Sequence, residues 1–218
     1  IGQSNLMAGD NISIEGALNF DSVSAITINN DTGDYVNIIH TASQEFNVAD
    51  ITTIIGDPNL SISSNRSITM NGFEGGVLSV EVDGNDNGTN YLDASGVYDV
   101  DALIVTGTSN NDWVNIDGDW NIEGSIFFSI LENINFYNDA FLAESSISIS
   151  ANTQVNLGTS TTAFDFGTTS QSMIIGDVLG NRPLNLYTPD TFSAGTINVA
   201  SRALSIISDS DLSGDEFF

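Results

Sequence analysis

Pairs of apolar residues spaced two apart return at a nearly fixed distance along this chain, and that return narrows the possible folds. Phe164 and Phe166 are followed by Leu184 and Leu186, and these by Leu204 and Ile206, in steps of 20 residues. A second series runs from Ile134 and Phe136 to Val155 and Leu157, a step of 21, and Val155 to Ile175 is again a step of 20. Residues two apart share one face of an extended strand. A repeat near 20 then means that each turn of chain lays its inward pair over the pair before it, as in a coiled solenoid. The register is less clear before residue 125.

The rest of the chain supplies strands for such a coil. Apolar and small polar residues alternate in NISIE (11–15), SAITIN (24–29), VLSVEV (77–82), ALIVT (102–106), NINFY (133–137), SISIS (146–150), QVNL (154–157), TINV (196–199) and LSII (204–207). Period-two alternation buries one face and wets the other. Gly, Asn, Asp, Ser and Thr fill the spaces between, and these are turn residues. No sustained helical periodicity is present. FSILENINFYNDAFLAE (128–144), the best helical candidate, reads as two strands around a turn. GDYVNI (33–38) and NDWVNI (111–116) match at an offset of 78 residues, about four of the shorter steps, and read as further internal repetition.

These patterns predict an all-β chain, a parallel β-helix with rungs of about 20 residues. Equivalent strands stack at about 4.8 Å, so inward Val, Ile, Leu and Phe form apolar columns, and Asn, Ser and Thr form side-chain ladders. About 11 such rungs would make a rod on the order of 50 Å long. An antiparallel β-sandwich is the alternative, because short strands at regular spacing also describe it.

Composition excludes several functions. The 218 residues hold 29 acidic and only three basic side chains, Arg66, Arg182 and Arg202, for a net charge of −26. Such a chain repels phosphate backbones and anionic lipid surfaces, which argues against nucleic-acid partners. It also stays soluble in salt and attracts divalent cations. With 40% apolar and 15% charged residues it is not a disordered composition. No apolar run approaches the roughly 20 residues of a membrane span, so no membrane insertion is expected. There is no Cys. The chain opens IGQSNLMAGD, without an initiator Met or a basic start. It is therefore read as one solenoid segment, 1–218, of a longer secreted protein.

SSISISANTQVNLGTS (145–160) and GTINVASRALSIISDSDLSG (195–214) resemble the repeats of filamentous-haemagglutinin-type adhesins. The similarity covers the last 90 or so residues best. It implies a right-handed parallel β-helix on a bacterial surface, serving as stalk or adhesive. Many such proteins are richer in Lys than this one.

Three sets of residues are candidates for a site. VDGNDNGTNYLDASG (82–96) carries Asp83, Asn85, Asn87 and Gly88 in the D-x-N-x-N-G spacing of a calcium loop. Alternating oxygens wrap a hard cation there. Asp93 is the nearest closing ligand, one residue short and not Glu. This stretch, with 106–118, also resembles calcium-binding repeats-in-toxin segments, although their nonapeptide is absent. The alternative is an Asn/Asp/Gly-rich turn at 83–96 that binds nothing. Asp99 with Asp101, and Asp117 with Asp119, are spaced to project from one strand face, as the acid and base of a glycoside hydrolase require. The three scattered Arg give no cluster to hold an acidic polysaccharide. Tyr35, Trp113, Trp120, Phe127, Phe128, Phe136 and Tyr137 are available to stack on sugar rings or to fill the core. Trp113 alternates with Val114 and Ile116, which places it on the outer face.

His40 is the only His, and no G-x-S-x-G elbow or phosphate-binding Gly loop occurs. The expected function is a structural segment of an extracellular bacterial surface fibre or adhesin, not an enzyme. It associates end to end or continues in a longer chain. A calcium- or glycan-binding extracellular module and a polysaccharide-active enzyme are the alternatives. No cofactor is required, and calcium is the one ion for which the sequence offers a loop.

Overall fold

A computed structural model describes residues 4–7, 12–16, 26–29, 35–40, 46–47, 51–55, 59–83, 88–108, 111–169, 171–188 and 190–207. In chain order the strands are β1 (Ser4–Met7), β2 (Ile12–Gly16), β3 (Ile26–Asn29), β4 (Tyr35–His40), β5 (Phe46–Asn47), β6 (Ile51–Ile55) and β7 (Asn59–Ser64). Two long strands follow, β8 (Ile68–Val82) and β9 (Tyr91–Gly107). Then come β10 (Trp113–Ile116), β11 (Asp119–Ile122), β12 (Ile126–Ser129), β13 (Asn133–Phe136), β14 (Ala140–Ala143), β15 (Ile147–Ile149) and β16 (Gln154–Thr159). The last are β17 (Phe164–Thr168), β18 (Met173–Ile174), β19 (Val178–Asn181), β20 (Leu184–Tyr187), β21 (Phe192–Ser193), β22 (Ile197–Asn198) and β23 (Leu204–Ile207).

Every pairing among them is parallel, so the chain is a β-solenoid and not a sandwich. From Leu60 to Phe192 it makes about six turns, with rungs of about 22 residues. This is longer than the 20 expected, because the turns between strands vary. Leu60 pairs with Leu78 and Leu78 with Leu103, so consecutive rungs differ in length by several residues.

Strands stack in three columns. The first contains β2, β4, β7, the ends of β8 and β9, then β12, β15, β18 and β21. The second runs from β5 through the starts of β8 and β9 to β10, β13, β16, β19 and β22. The third holds β1, β3 and β6, the middle of β8 and β9 with β11, and then β14, β17, β20 and β23.

The predicted steps from Phe164 to Leu184 to Leu204, and from Ile134 to Val155, are register pairs. Two readings are corrected. Val155 stacks on Val178, and Ile175 belongs to the turn beyond β18. The VNI echo joins β4 of the first column to β10 of the second, so it does not span whole rungs. Residues 128–144 contain the end of β12 and all of β13 and β14.

Inward side chains form the core. Ile62, Val80, Val105, Phe128 and Ile149 line up in the first column, and Ile68, Leu92, Val114, Ile134, Val155 and Val178 in the second, all buried. Where the third column meets them, Phe136, Phe141, Phe164 and Phe166 pack with ring centroids 4.8 to 5.8 Å apart. Each side chain of this size withholds roughly 1.5–3 kcal/mol worth of apolar surface from water. The corner between the second and third columns is a glycine ladder: Gly72, Gly96 and Gly118 have φ of 92°, 93° and 81°. A Cβ on Gly118 would collide with the Gly96 carbonyl, so only glycine allows both the left-handed turn and the stacking.

Candidate functional site

Outward residues are organised as polar ladders. Asn135 Nδ2 donates to Asn115 Oδ1 at 2.9 Å, and Asn156 Nδ2 donates to Asn135 Oδ1 at 2.9 Å. In the third column Asn121 donates to Asp99 at 2.7 Å and Asn185 to Asp165 at 2.8 Å. Amides thus sit over carboxylates in these two pairs, so like charges do not face each other between those particular strands.

One interruption stands out. Tyr137 N–H donates to Ile116 O at 2.9 Å, and Glu144 N–H donates to Ile122 O at 3.0 Å, so the rungs are paired at both flanks of β11. The segment Phe136–Ala143 is one residue longer than Ile116–Ile122. The extra residue breaks the register between them: β11 pairs with β9 below, β14 pairs with β17 above, and no ladder joins β11 to β14 among the described residues. This is the logic of a β-bulge. The result is a slot of about 410 Å³ across three rungs.

Trp120 forms its inner wall. The indole stacks on Tyr98 with centroids 3.7 Å apart and planes 7° from parallel, and meets Phe141 edge-on at 5.6 Å. Its Nε1–H donates to Asp117 O at 2.9 Å. Burial pushes the Tyr98 phenol above its ordinary pKa of 10.0, against a smaller lowering from the Gly72 backbone.

Asp99, Asp119 and Asp139 line the opening. Asn138 Nδ2 donates to Ala140 O at 2.7 Å and Gly118 O at 3.3 Å, whereas its Oδ1 is buried without a partner. Arg182, itself buried, holds Asp139 Oδ1 at 2.5 Å. It also donates to the carbonyls of Asn138 at 2.9 Å, Thr162 at 3.2 Å and Ala163 at 3.2 Å. Its guanidinium lies 5.2 Å from the Phe164 ring centre.

The slot brings together residues from separate sequence candidates. Asp99 and Asp119 meet there, each without its proposed mate: Asp101 lies further along β9, and Asp117 lies beyond the Gly118 turn. The pairs read from the sequence are therefore not the groups that share the cleft. Asn138, Asp139 and Arg182 carried no sequence signal, since their partners come from distant rungs.

Of the aromatics, Phe128 and Phe136 are core, while Phe127 and Tyr137 are exposed. Trp113 is outward but half-buried, stacked on Tyr91 at 5.8 Å and 9°. The aromatics are thus divided between core and surface and do not form a continuous face. Tyr35 and His40 begin and end β4, and their side chains lie outside the described residues. In the calcium segment Asp83 is buried at the end of β8, and its carbonyl accepts from Thr108 Oγ1. Asp93 is exposed on β9, and Asn85 and Asn87 lie outside the described residues. Among the described residues no three acidic or His side chains converge closely enough to hold a metal ion.

Fold and slot together define a parallel β-solenoid with a bulge-made cleft on its flank. No family model matches the chain, and neither a curated protein nor a solved structure does.

Proposed function

We propose that this chain is a rigid structural segment of an extracellular bacterial surface fibre or adhesin. One observation carries the reading. Parallel pairing runs through the rod to a last described rung, β21, β22 and β23, each bonded on one side among the described residues. Leu204 and Ile206 of that rung continue the inward column of Leu184 and Leu186, yet both are exposed. An open strand edge carrying apolar side chains is a template for another strand. The acidic surface disfavours contact side by side, and the apolar side chains of this last described rung are the contact we propose instead. Stiffness comes from the ladders as a whole, so no single residue performs the function and no cofactor is called for.

The test uses the full chain in sedimentation and small-angle scattering at rising concentration. The expected result is an elongated particle that lengthens without thickening. Replacing Leu204 and Ile206 together by Lys stops the lengthening and leaves the β-sheet spectrum intact. A compact, monodisperse monomer at every concentration sinks the reading.

A further inference from the structure

The slot beside Trp120 serves no purpose in a rod, because equal rungs would stack without it and keep the ladder bonds that β11 lacks. Its two kinds of lining define a ligand. One part is apolar: the Trp120 indole, half-buried, and Val97, which is 67% exposed. The other part accepts hydrogen bonds. Asp99 is steadied by Asn121 at 2.7 Å and Asp139 by Arg182 at 2.5 Å, and Asp119 stands at the mouth. Asn138 lines the same slot, and its Oδ1 is buried with no donor.

A ligand matching this lining presents an apolar face and several O–H donors. The volume of about 410 Å³ falls in the small-ligand range of roughly 300–1,000 Å³. A net charge of −26, with three carboxylates at the opening, repels acidic molecules. A bare metal ion is mismatched, since no three acidic groups converge among the described residues.

We propose that the slot binds a neutral saccharide. One sugar face lies against Trp120 and Val97, and its hydroxyls donate to Asp99 and Asp119. This goes beyond the rod reading and does not depend on end-to-end association. It gives the rod a ligand-bearing flank.

Trp113 and Trp120 are the two tryptophans, so Trp113→Phe leaves Trp120 as the only indole reporter. In that background, emission is followed while cellohexaose, mannohexaose, xylohexaose and galactohexaose are added. Chitosan hexamer serves as the cationic probe and a hexagalacturonate as the acidic one. The expected result is saturable quenching by at least one neutral probe, unchanged in about 0.5 M NaCl, where surface charge is screened.

Calorimetry then compares Val97→Ala and Asp119→Ala, both exposed positions whose replacement leaves the melting temperature in place. Each weakens the neutral probe at least about tenfold, the loss expected for one charge-assisted hydrogen bond or one sugar-face contact. Three results overturn the proposal: no binding of any neutral probe, binding of the chitosan hexamer alone that salt abolishes, or neutral binding that neither substitution weakens.

Discussion

Arg182 is buried and carries a full charge, which in a solenoid is tolerable only if the rungs around it supply acceptors. They do: three carbonyls and the Asp139 carboxylate take its N–H groups, and Phe164 covers its plane. Those acceptors come from the two preceding rungs, so with its own rung this one side chain ties three together. Arg182→Met strands the carbonyls of Asn138, Thr162 and Ala163, and stability falls by about 3 kcal/mol or more in urea unfolding. Arg182→Lys does not restore it, because an ammonium lacks the planar fork.

Tyr98 gives a pH signature at the same scale. Its folded pKa is raised by burial, so the neutral phenol contributes stability fully below the unfolded value of about 10. That contribution is lost as pH climbs from there through the folded value. The melting temperature therefore drops above about pH 10, and Tyr98→Phe flattens the drop. Equal pH profiles for the two proteins would exclude this role. Trp113's outward direction was legible from alternation alone, because alternation reports the face. Arg182's role was not, because a contact made across 43 residues leaves no local trace.

Elements here are short, and each gains its stability from the strands above and below. The Asn115–Asn135–Asn156 ladder shows how. Asn135 donates upstream and accepts downstream, so Asn135→Ala removes two bonds; Asn115 Oδ1 loses its donor, while Asn156 keeps its contacts to Asn133 and Gln154. A loss of about 1–2 kcal/mol is expected, and Asn135→Asp, which also deletes the donor to Asn115, is no better. The glycine corner is less forgiving. Gly118→Ala adds a Cβ against the Gly96 carbonyl at a φ of 81°. It costs about 1–2 kcal/mol from the left-handed backbone alone, and more once the rungs shift to relieve the clash. Thermal unfolding of these variants ranks the two devices.

Strand positions and inward pairs were readable because period two and the 20-residue steps are local or nearly so. The column to which a strand belongs was not. Turn lengths differ from rung to rung, so equal motifs such as VNI at 36–38 and 114–116 land on different faces. The slot was hidden for the same reason. One extra residue between Phe136 and Ala143 is invisible until the rung beneath is known.

For the whole molecule, charge and stacking pull in opposite directions. Parallel rungs bring outward side chains to about one strand spacing, roughly 4.8 Å, and the chain carries −26. Glu74 stands in register with Asp99, which has its amide partner only on the next rung. Such repulsion is worth tenths of a kcal/mol per exposed pair and is screened beyond about 8 Å at physiological salt. The melting temperature should therefore climb by several degrees between about 10 and 150 mM NaCl, since about 1 kcal/mol moves a chain of this size by roughly 2–4 °C. Divalent ions gather at so negative a surface and act at lower concentration. If screening is the whole effect, magnesium and calcium at equal ionic strength raise the melting temperature equally. A coordinating loop behaves otherwise, because calcium accepts six to eight flexible oxygens whereas magnesium holds its water. Equal shifts are the expected outcome, consistent with a rod held by backbone ladders. A calcium shift clearly above that of magnesium, lost on Asp83→Ala, would place an ion in the segment from Asp83 to Asp93 and make it part of the rod's construction.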